Sequence, residues 1–348
     1  MQEKLSKQPA LEEKVEAFNG FKAEERKQYL IKMFSQFSFA QMSEEIVKIF
    51  KIAIGKMIED QGEMDSSKNW GLSTADAERC LFDIMRTDRF KQAIDEVVQR
   101  GDVVAEANIS AGDTVVEAGA GTGIIALMAA ARGAKKVYAV EINPKTVRVC
   151  QEFIKYCGFE DTIEIIEGDA TNFELPEDVD VIISENMFTG LLLEPQMQII
   201  DNLKRFLKKG GKIIPDKFES YMELVIAQGL EENNVTKNSF NGNIEVVSQK
   251  IQFDDVNFNK QEPLELNNTV IVIADRDGEV NAINISSLIK LTDDVCIKSN
   301  ECDFLGQDEL IKLKKPINVE AGKEYRVFFK FKGGDRPEDM VIEIEKKD

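Results

Sequence analysis

Two carboxylates nine positions apart, Glu185 and Glu194, bracket the stretch SENMFTGLLLE, residues 184–194, which is otherwise mostly apolar. Paired acids can hold one cation between them and take up a proton as that cation reacts. By position alone they also read as an acid closing a strand and as the negative charge at the start of a helix supported by Pro195. A second group with chemical potential lies upstream. In VVEAGAGTG, Gly119, Gly121 and Gly123 follow an apolar strand directly and open a helix. Such a turn lets backbone approach a ligand closely, with the helix N-terminus pointing at it.

The acids around that turn narrow the ligand. Glu141 ends the second strand about twenty residues on, where an acid binds a ribose diol. The spacing G-x-G-x-G differs from the dinucleotide form G-x-G-x-x-G. Glu117, two residues before the first glycine, would repel a pyrophosphate but would suit the ammonium and sulfonium of S-adenosylmethionine. EGDA, after the third strand, places Asp169 and Ala170 where an adenine could be bound. S-adenosylmethionine is therefore the expected cofactor, and no metal is expected.

The elements that must position these residues fall into three regions. Residues 1–75 read as helical, with apolar residues at three- and four-residue steps in FKAEERKQYLIKMFSQF and SEEIVKIFKIAIGKMIED. From 76 to 216 strands and helices alternate, which predicts a doubly wound, Rossmann-like parallel sheet with covered faces. The helices include TGIIALMAAARG, ended by Gly133, and NPKTVRVCQEFIKYCG, with Pro144 in its first turn. QMQIIDNLKRFLKKGG is expected to be a third, with KIIPD starting the fifth strand, so that KRFLKKGGK reads as a solvated basic helix end. Residues 217–348 carry β-rich segments with polar turns and predict an antiparallel barrel or sandwich.

Composition excludes several function classes. The chain of 348 residues has no histidine, which removes every mechanism built on imidazole. Five cysteines, odd in number and without C-x-x-C spacing, read as reduced thiols; Cys150 and Cys157 share one helical face and read as core. A formal net charge of −19 disfavours nucleic acid and anionic lipid as partners. No apolar run approaches a membrane span, and a cytoplasmic location is expected.

With these motifs in order, the chain resembles the protein arginine methyltransferases. DIMRTDRF, residues 83–90, is similar to the family's D-x-x-R-T-x-x-[YF] stretch; VVEAGAGTG, VYAVE, IIEGDATNFELP and GGKIIPD follow in the same order. SENMFTGLLLE is similar to the family's double-glutamate loop. The resemblance implies that Arg86 holds the carboxylate of S-adenosylmethionine and that Glu185 and Glu194 are catalytic. It also implies that an aromatic N-terminal helix closes the cofactor site, with Trp70 as a candidate cover. There are departures. Where the family carries a Thr-His-Trp loop whose histidine supports one glutamate, this chain has CDFLGQDELI, with Asp303 as a substitute orienter. Asn186 replaces a tryptophan, and the family's dimerisation arm is not evident around 225–265.

A guanidinium presents a rigid planar fork of donors and stays protonated at neutral pH. Two carboxylates can grip it, turn one nitrogen toward the methyl group and take up its proton. Positioning of this kind supplies up to about 7–11 kcal/mol in favourable intramolecular cases. The expected function is thus methyl transfer to a guanidino or similar nitrogen of a protein or small molecule. Methyl transfer to RNA or to a metabolite, and a non-catalytic S-adenosylmethionine-binding relic, stay open beside it. The sequence leaves the oligomeric state open.

Overall fold

The computed structural model describes residues 11–42, 46–60, 73–98, 112–302 and 307–347. The architecture is the expected one: helices first, then parallel strands and helices in a Rossmann-like pattern, then antiparallel strands. By contacts the chain divides into two compact units, residues 1–168 and 169–348.

The first unit begins with α1 (Leu11–Gly20), α2 (Ala23–Gln36), α3 (Phe39–Met42), α4 (Ile46–Asp60), α5 (Thr74–Phe82) and α6 (Ile84–Val97). Next come β1 (Thr114–Ala118), α7 (Ile124–Arg132), β2 (Lys136–Glu141), α8 (Pro144–Cys157) and β3 (Ile163–Glu167). β2 lies between β1 and β3, parallel to both. Every residue of β1 is buried, and so are Ile124 to Ala131 of α7. A helix apolar on all sides needs cover on all sides; α2 and α6 supply it from beyond the sheet.

The N-terminal helices also dock on α8. Arg26 of α2 donates from Nε to Tyr156 O at 2.5 Å and from a terminal guanidinium nitrogen to Phe21 O at 2.6 Å, and stacks 4.5 Å from the Tyr156 ring. Phe50 of α4 meets Phe153 edge-on at 4.9 Å. Gly158 ends α8 at φ +81°, and a Cβ there would come within 2.4 Å of Ala23 O. Both the turn and the approach of α2 therefore require glycine.

The second unit opens with β4 (Val179–Ser184), α9 (Gln196–Leu203) and β5 (Leu207–Ile214), β4 and β5 being parallel. The antiparallel strands follow: β6 (Lys217–Ala227), β7 (Asn234–Thr236), β8 (Ile244–Val246), β9 (Ile251–Asn257), β10 (Glu265–Ile273), β11 (Gly278–Lys290), β12 (Cys296–Lys298), β13 (Glu309–Val319), β14 (Glu324–Lys332) and β15 (Val341–Lys346). One sheet runs β7-β13-β11-β6-β8 and the other β10-β14-β15. β14 shows the period of two that a half-buried strand needs. Tyr325, Val327, Phe329 and Phe331 are buried, and Arg326, Lys330 and Lys332 are exposed.

One element is shorter than the sequence predicts. The helix expected through Gly211 ends at Leu203, and the fifth strand starts at Leu207. Pairing of Leu207 with Val179 and of Lys212 with Val181 overrides the helical pattern, with Gly210 at φ +82° in the irregular stretch between. The basic run is thus mainly strand, and Lys208 reaches Asp180 at 2.8 Å.

Among the described residues, no helix is long and apolar enough to cross a membrane.

Candidate active site

In the first unit the glycine turn hangs on the end of β2. The amides of Gly119 and Ala120 both donate to Val140 O, at 2.9 and 3.0 Å. All three glycines have positive φ: +72° at Gly119, +56° at Gly121 and +87° at Gly123. A Cβ at Gly123 would lie 2.7 Å from Cys150 Sγ, so the turn packs directly on α8.

The acids predicted from sequence converge there. Glu117, 2% exposed, is one residue before the end of β1, and Glu141, 8% exposed, ends β2. Glu141 grips the turn itself: one carboxylate oxygen accepts from Gly121 N–H at 2.9 Å, the other from Asn143 N–H at 2.8 Å. Burial raises the Glu141 pKa, and the amides of Asn143, Gly121 and Ile142 pull against that rise. The Cys150 thiol is pushed up by burial and then by the charges of Glu117 and Glu141, so it is an inert core thiol, as is Cys157.

Arg86 lies in the first turns of α6. Asp83 caps that helix by accepting the Arg86 amide, and the Arg86 guanidinium donates to Cys80 O at 3.1 Å. α5 reaches the same region: Thr74 Oγ1 and Thr146 Oγ1 are 2.9 Å apart, and Ala77 Cβ would be 3.6 Å from a Cβ at Gly121. Trp70 lies outside the described residues.

In the second unit, Asp169 closes a turn on itself, with Oδ1 accepting from both the amide and the hydroxyl of Thr171. Ala170 is buried, and its carbonyl accepts from Asn202.

Glu185 directly follows β4 and Glu194 precedes α9. Their loop returns on itself, and Glu185 is near enough to act on Glu194. Burial and then the Glu185 charge raise Glu194 to about 7. The return depends on three departures from ordinary backbone, with extended Leu192 between the second and the third. Gly190, Leu191 and Leu193 have φ of +71°, +57° and +61°. Bulky residues avoid that region at a cost of about 1–2 kcal/mol each, so the surroundings must impose it. The turn after β14 does so: Leu193 N–H donates to Asp335 O at 2.9 Å, and Gly334 N–H donates to Leu191 O at 2.8 Å.

Gln196, fully buried, fixes the other end. Its carbonyl oxygen accepts from Asn186 N–H at 3.0 Å and Ser184 Oγ at 2.9 Å, while its amide nitrogen donates to Ser184 O at 2.9 Å. The residues on either side of Glu185 are thereby held by one side chain. Sequence reading passed over Gln196, since a glutamine at a helix start is ordinary; its only signal was the run of apolar neighbours around it. Asp303 lies outside the described residues.

Residues 115–211 match the family model described as a methyltransferase domain. The "Uncharacterized protein MJ1452" of Methanocaldococcus jannaschii is 33% identical over 262 residues, 73% of this chain and 91% of that protein. The "Probable protein arginine N-methyltransferase 6" of Arabidopsis thaliana is 35% identical over 146 residues, 42% of this chain and 31% of its own length. This chain thus spans about a third of the plant protein. In fold, the chain is similar to the solved "Trypanosoma brucei PRMT1 enzyme-prozyme heterotetrameric complex with AdoHcy", with TM-score 0.61 and 19% identity over 80% of this chain and 95% of that one. The chain belongs to the family of the M. jannaschii protein, and it is a class I S-adenosylmethionine-dependent methyltransferase resembling the protein arginine methyltransferases.

Proposed function

We propose that the enzyme transfers a methyl group to a guanidino or closely similar nitrogen. The observation that supports this most is the acid pair. Glu194, raised to about 7 by burial and by Glu185, sits on a loop fixed at both ends. Two like charges that act on each other where one is largely buried are costly unless a cation joins them. A planar guanidinium can meet both at once, and its arrival favours the ionised form of Glu194.

The residues of the first unit fit the cofactor. The turn is built on left-handed glycines, Gly123 packed against α8 with no room for a side chain, and two buried acids lie at the ends of the flanking strands, Glu117 one residue before the last of β1. This is a donor set for a cationic group and a diol, and a poor one for a pyrophosphate. In this reading Arg86 binds the carboxylate of S-adenosylmethionine and Glu117 faces its cationic end. Gly119, Gly121 and Gly123 bring backbone close, Glu141 takes the ribose hydroxyls, and Asp169 and Ala170 take the adenine. When bound, S-adenosylmethionine supplies an electrophilic methyl group.

The work of the chain's own residues is positioning and proton uptake. Glu185 and Glu194 hold the guanidinium plane and orient one nitrogen, and Glu194 takes the proton that nitrogen sheds. A carboxylate with a pKa near the working pH is suited to that task. The acceptor in this reading is a protein, as the names of the related protein arginine methyltransferases suggest, or a small molecule of the same chemistry.

The experiment is incubation with labelled S-adenosylmethionine and, in parallel, an arginine-rich peptide, free arginine, RNA and a metabolite fraction. Label on a guanidino nitrogen, lost in Glu185→Gln, is expected. Label confined to RNA, or full turnover by Glu185→Gln, would overturn the proposal.

A further inference from the structure

We infer that Asp308 is a positioning residue for the acid pair, acting through Ser299 and Ser287 on the backbone of the loop that carries it. This rests on the proposed role of Glu185 and Glu194. No histidine exists in the chain to support that loop, and a different set of bonds stands against it.

The connection runs through consecutive short bonds. Gly190 N–H donates to Ser287 Oγ at 2.9 Å. Ser287 N–H donates to Ser299 Oγ at 3.0 Å, and Ser299 N–H returns a bond to Ser287 O at 2.9 Å. Ser299 Oγ–H then donates to Asp308 Oδ1 at 2.6 Å. One residue before Gly190, Thr189 Oγ1–H donates to Gln307 O at 2.8 Å. Two adjacent residues of the loop are thus tied to the strand end at 307–308.

Asp308 is itself fixed. Its amide donates to Asn300 Oδ1 at 2.9 Å, its carbonyl accepts the Lys237 amide at 2.8 Å, and Lys237 Nζ lies 3.7 Å from its second carboxylate oxygen. Ser287, Ser299 and Asp308 are all buried. A buried carboxylate is expensive where a neutral side chain could fill the space. It is warranted where a rigid, charge-assisted bond is needed, and the Ser299–Asp308 bond has the length of one. Gly190 has left-handed backbone, and a Cβ there would sit 3.2 Å from Ile285 Cγ2. Position 190 therefore favours glycine, whose amide reaches Ser287.

The rival role, simple reinforcement of β11 against β13, predicts lost stability with unchanged turnover. The test compares wild type with Asp308→Ala, Asp308→Asn, Ser299→Ala and the Ser299→Ala/Asp308→Ala double variant. It measures kcat on an arginine-rich peptide, the dissociation constant for S-adenosylmethionine, and exchange of the Gly190 amide by NMR. Asp308→Ala and Ser299→Ala should each lower kcat by roughly 10–100-fold, the penalty of small misplacement. Cofactor affinity should stay unchanged, and the double variant should be no worse than the single ones because the residues act in series. Asp308→Asn, whose amide oxygen can still accept from Ser299, should recover most of the rate. Gly190 exchange should quicken in the alanine variants and stay slow in Asp308→Asn.

Wild-type kcat together with unchanged Gly190 exchange in Asp308→Ala would overturn the inference. If Asp308→Ala does not fold, Ser299→Ala against Asp308→Asn gives the same decision. If wild type methylates no guanidino acceptor, the proposed function fails. Gly190 exchange then decides the positioning role alone: quickening supports it, and no change overturns it.

Discussion

The carboxyl of Glu194 titrates in the field of Glu185, and the two acids are brought together by a loop whose left-handed leucines the sequence gives no reason to expect. Burial contributes most to the rise of Glu194 to about 7, and the neighbouring charge adds to it. A pair held in this way is strained without its cation and suited to receive one.

The first prediction concerns pH. Glu194 is raised from 4.5 to about 7, so the fold favours its protonated form. The stabilisation is complete below about 4.5 and is lost as pH climbs through about 7. Across that window Glu194 should remove on the order of 3 kcal/mol of stability. Glu194→Gln should abolish this slope and be more stable than wild type at pH 8, as urea melts at several pH values would show. Activity should move the opposite way: kcat/KM for a cationic acceptor should rise through pH 7, because only the ionised pair grips the cation.

Removing the neighbouring charge tests the coupling without any assay of transfer. Glu185→Gln should lower the Glu194 pKa toward its ordinary value, read by carboxyl NMR. The same variant should lose about 10²–10⁴-fold in kcat, the range for a lost acid–base or binding group, with S-adenosylmethionine affinity retained. An unmoved Glu194 would mean that the acids do not share a site.

Gln196 should matter as much as either acid. It bonds the chain at Ser184 and Asn186, on both sides of Glu185. Gln196→Leu keeps the bulk and removes the bonds. Leaving buried backbone donors and acceptors without partners costs about 1–3 kcal/mol each. The variant should melt earlier and turn over at least roughly 10-fold more slowly, with cofactor affinity unchanged by calorimetry.

At the cofactor turn, Gly123→Ala meets two obstacles. Its φ of +87° is left-handed, and the new methyl would lie 2.7 Å from Cys150 Sγ. Left-handed strain of about 1–2 kcal/mol and crowding of about 1–3 kcal/mol should add. Cys150→Ala in the same chain should relieve the crowding and leave the strain, so the double variant recovers stability in part. Cofactor affinity should fall in both.

The legible part of this molecule was local. Glycines after β1, an acid ending β2, proline at the start of α8 and glycine past its end are read within a few residues, and the structure places them as read. The acid pair was visible as a spacing. What was not legible is set by distant pairing. Gly190 and Ser287 lie 97 residues apart, and Thr189 and Gln307 lie 118 apart; nothing near a serine on an antiparallel strand says which loop it will meet. α9 misled for the same reason. Asn202 through Lys209 can be written as a helix, but Leu207 finds a strand partner in Val179 and the sheet prevails.

The central claim is tested most directly by mass spectrometry of a guanidino-containing acceptor after incubation with S-adenosylmethionine and either wild-type or Glu185→Gln enzyme. The account predicts a methyl group on the guanidino nitrogen with wild type and almost none with the variant, both proteins binding the cofactor equally. A methyl group placed elsewhere, or equal transfer by both proteins, would contradict it.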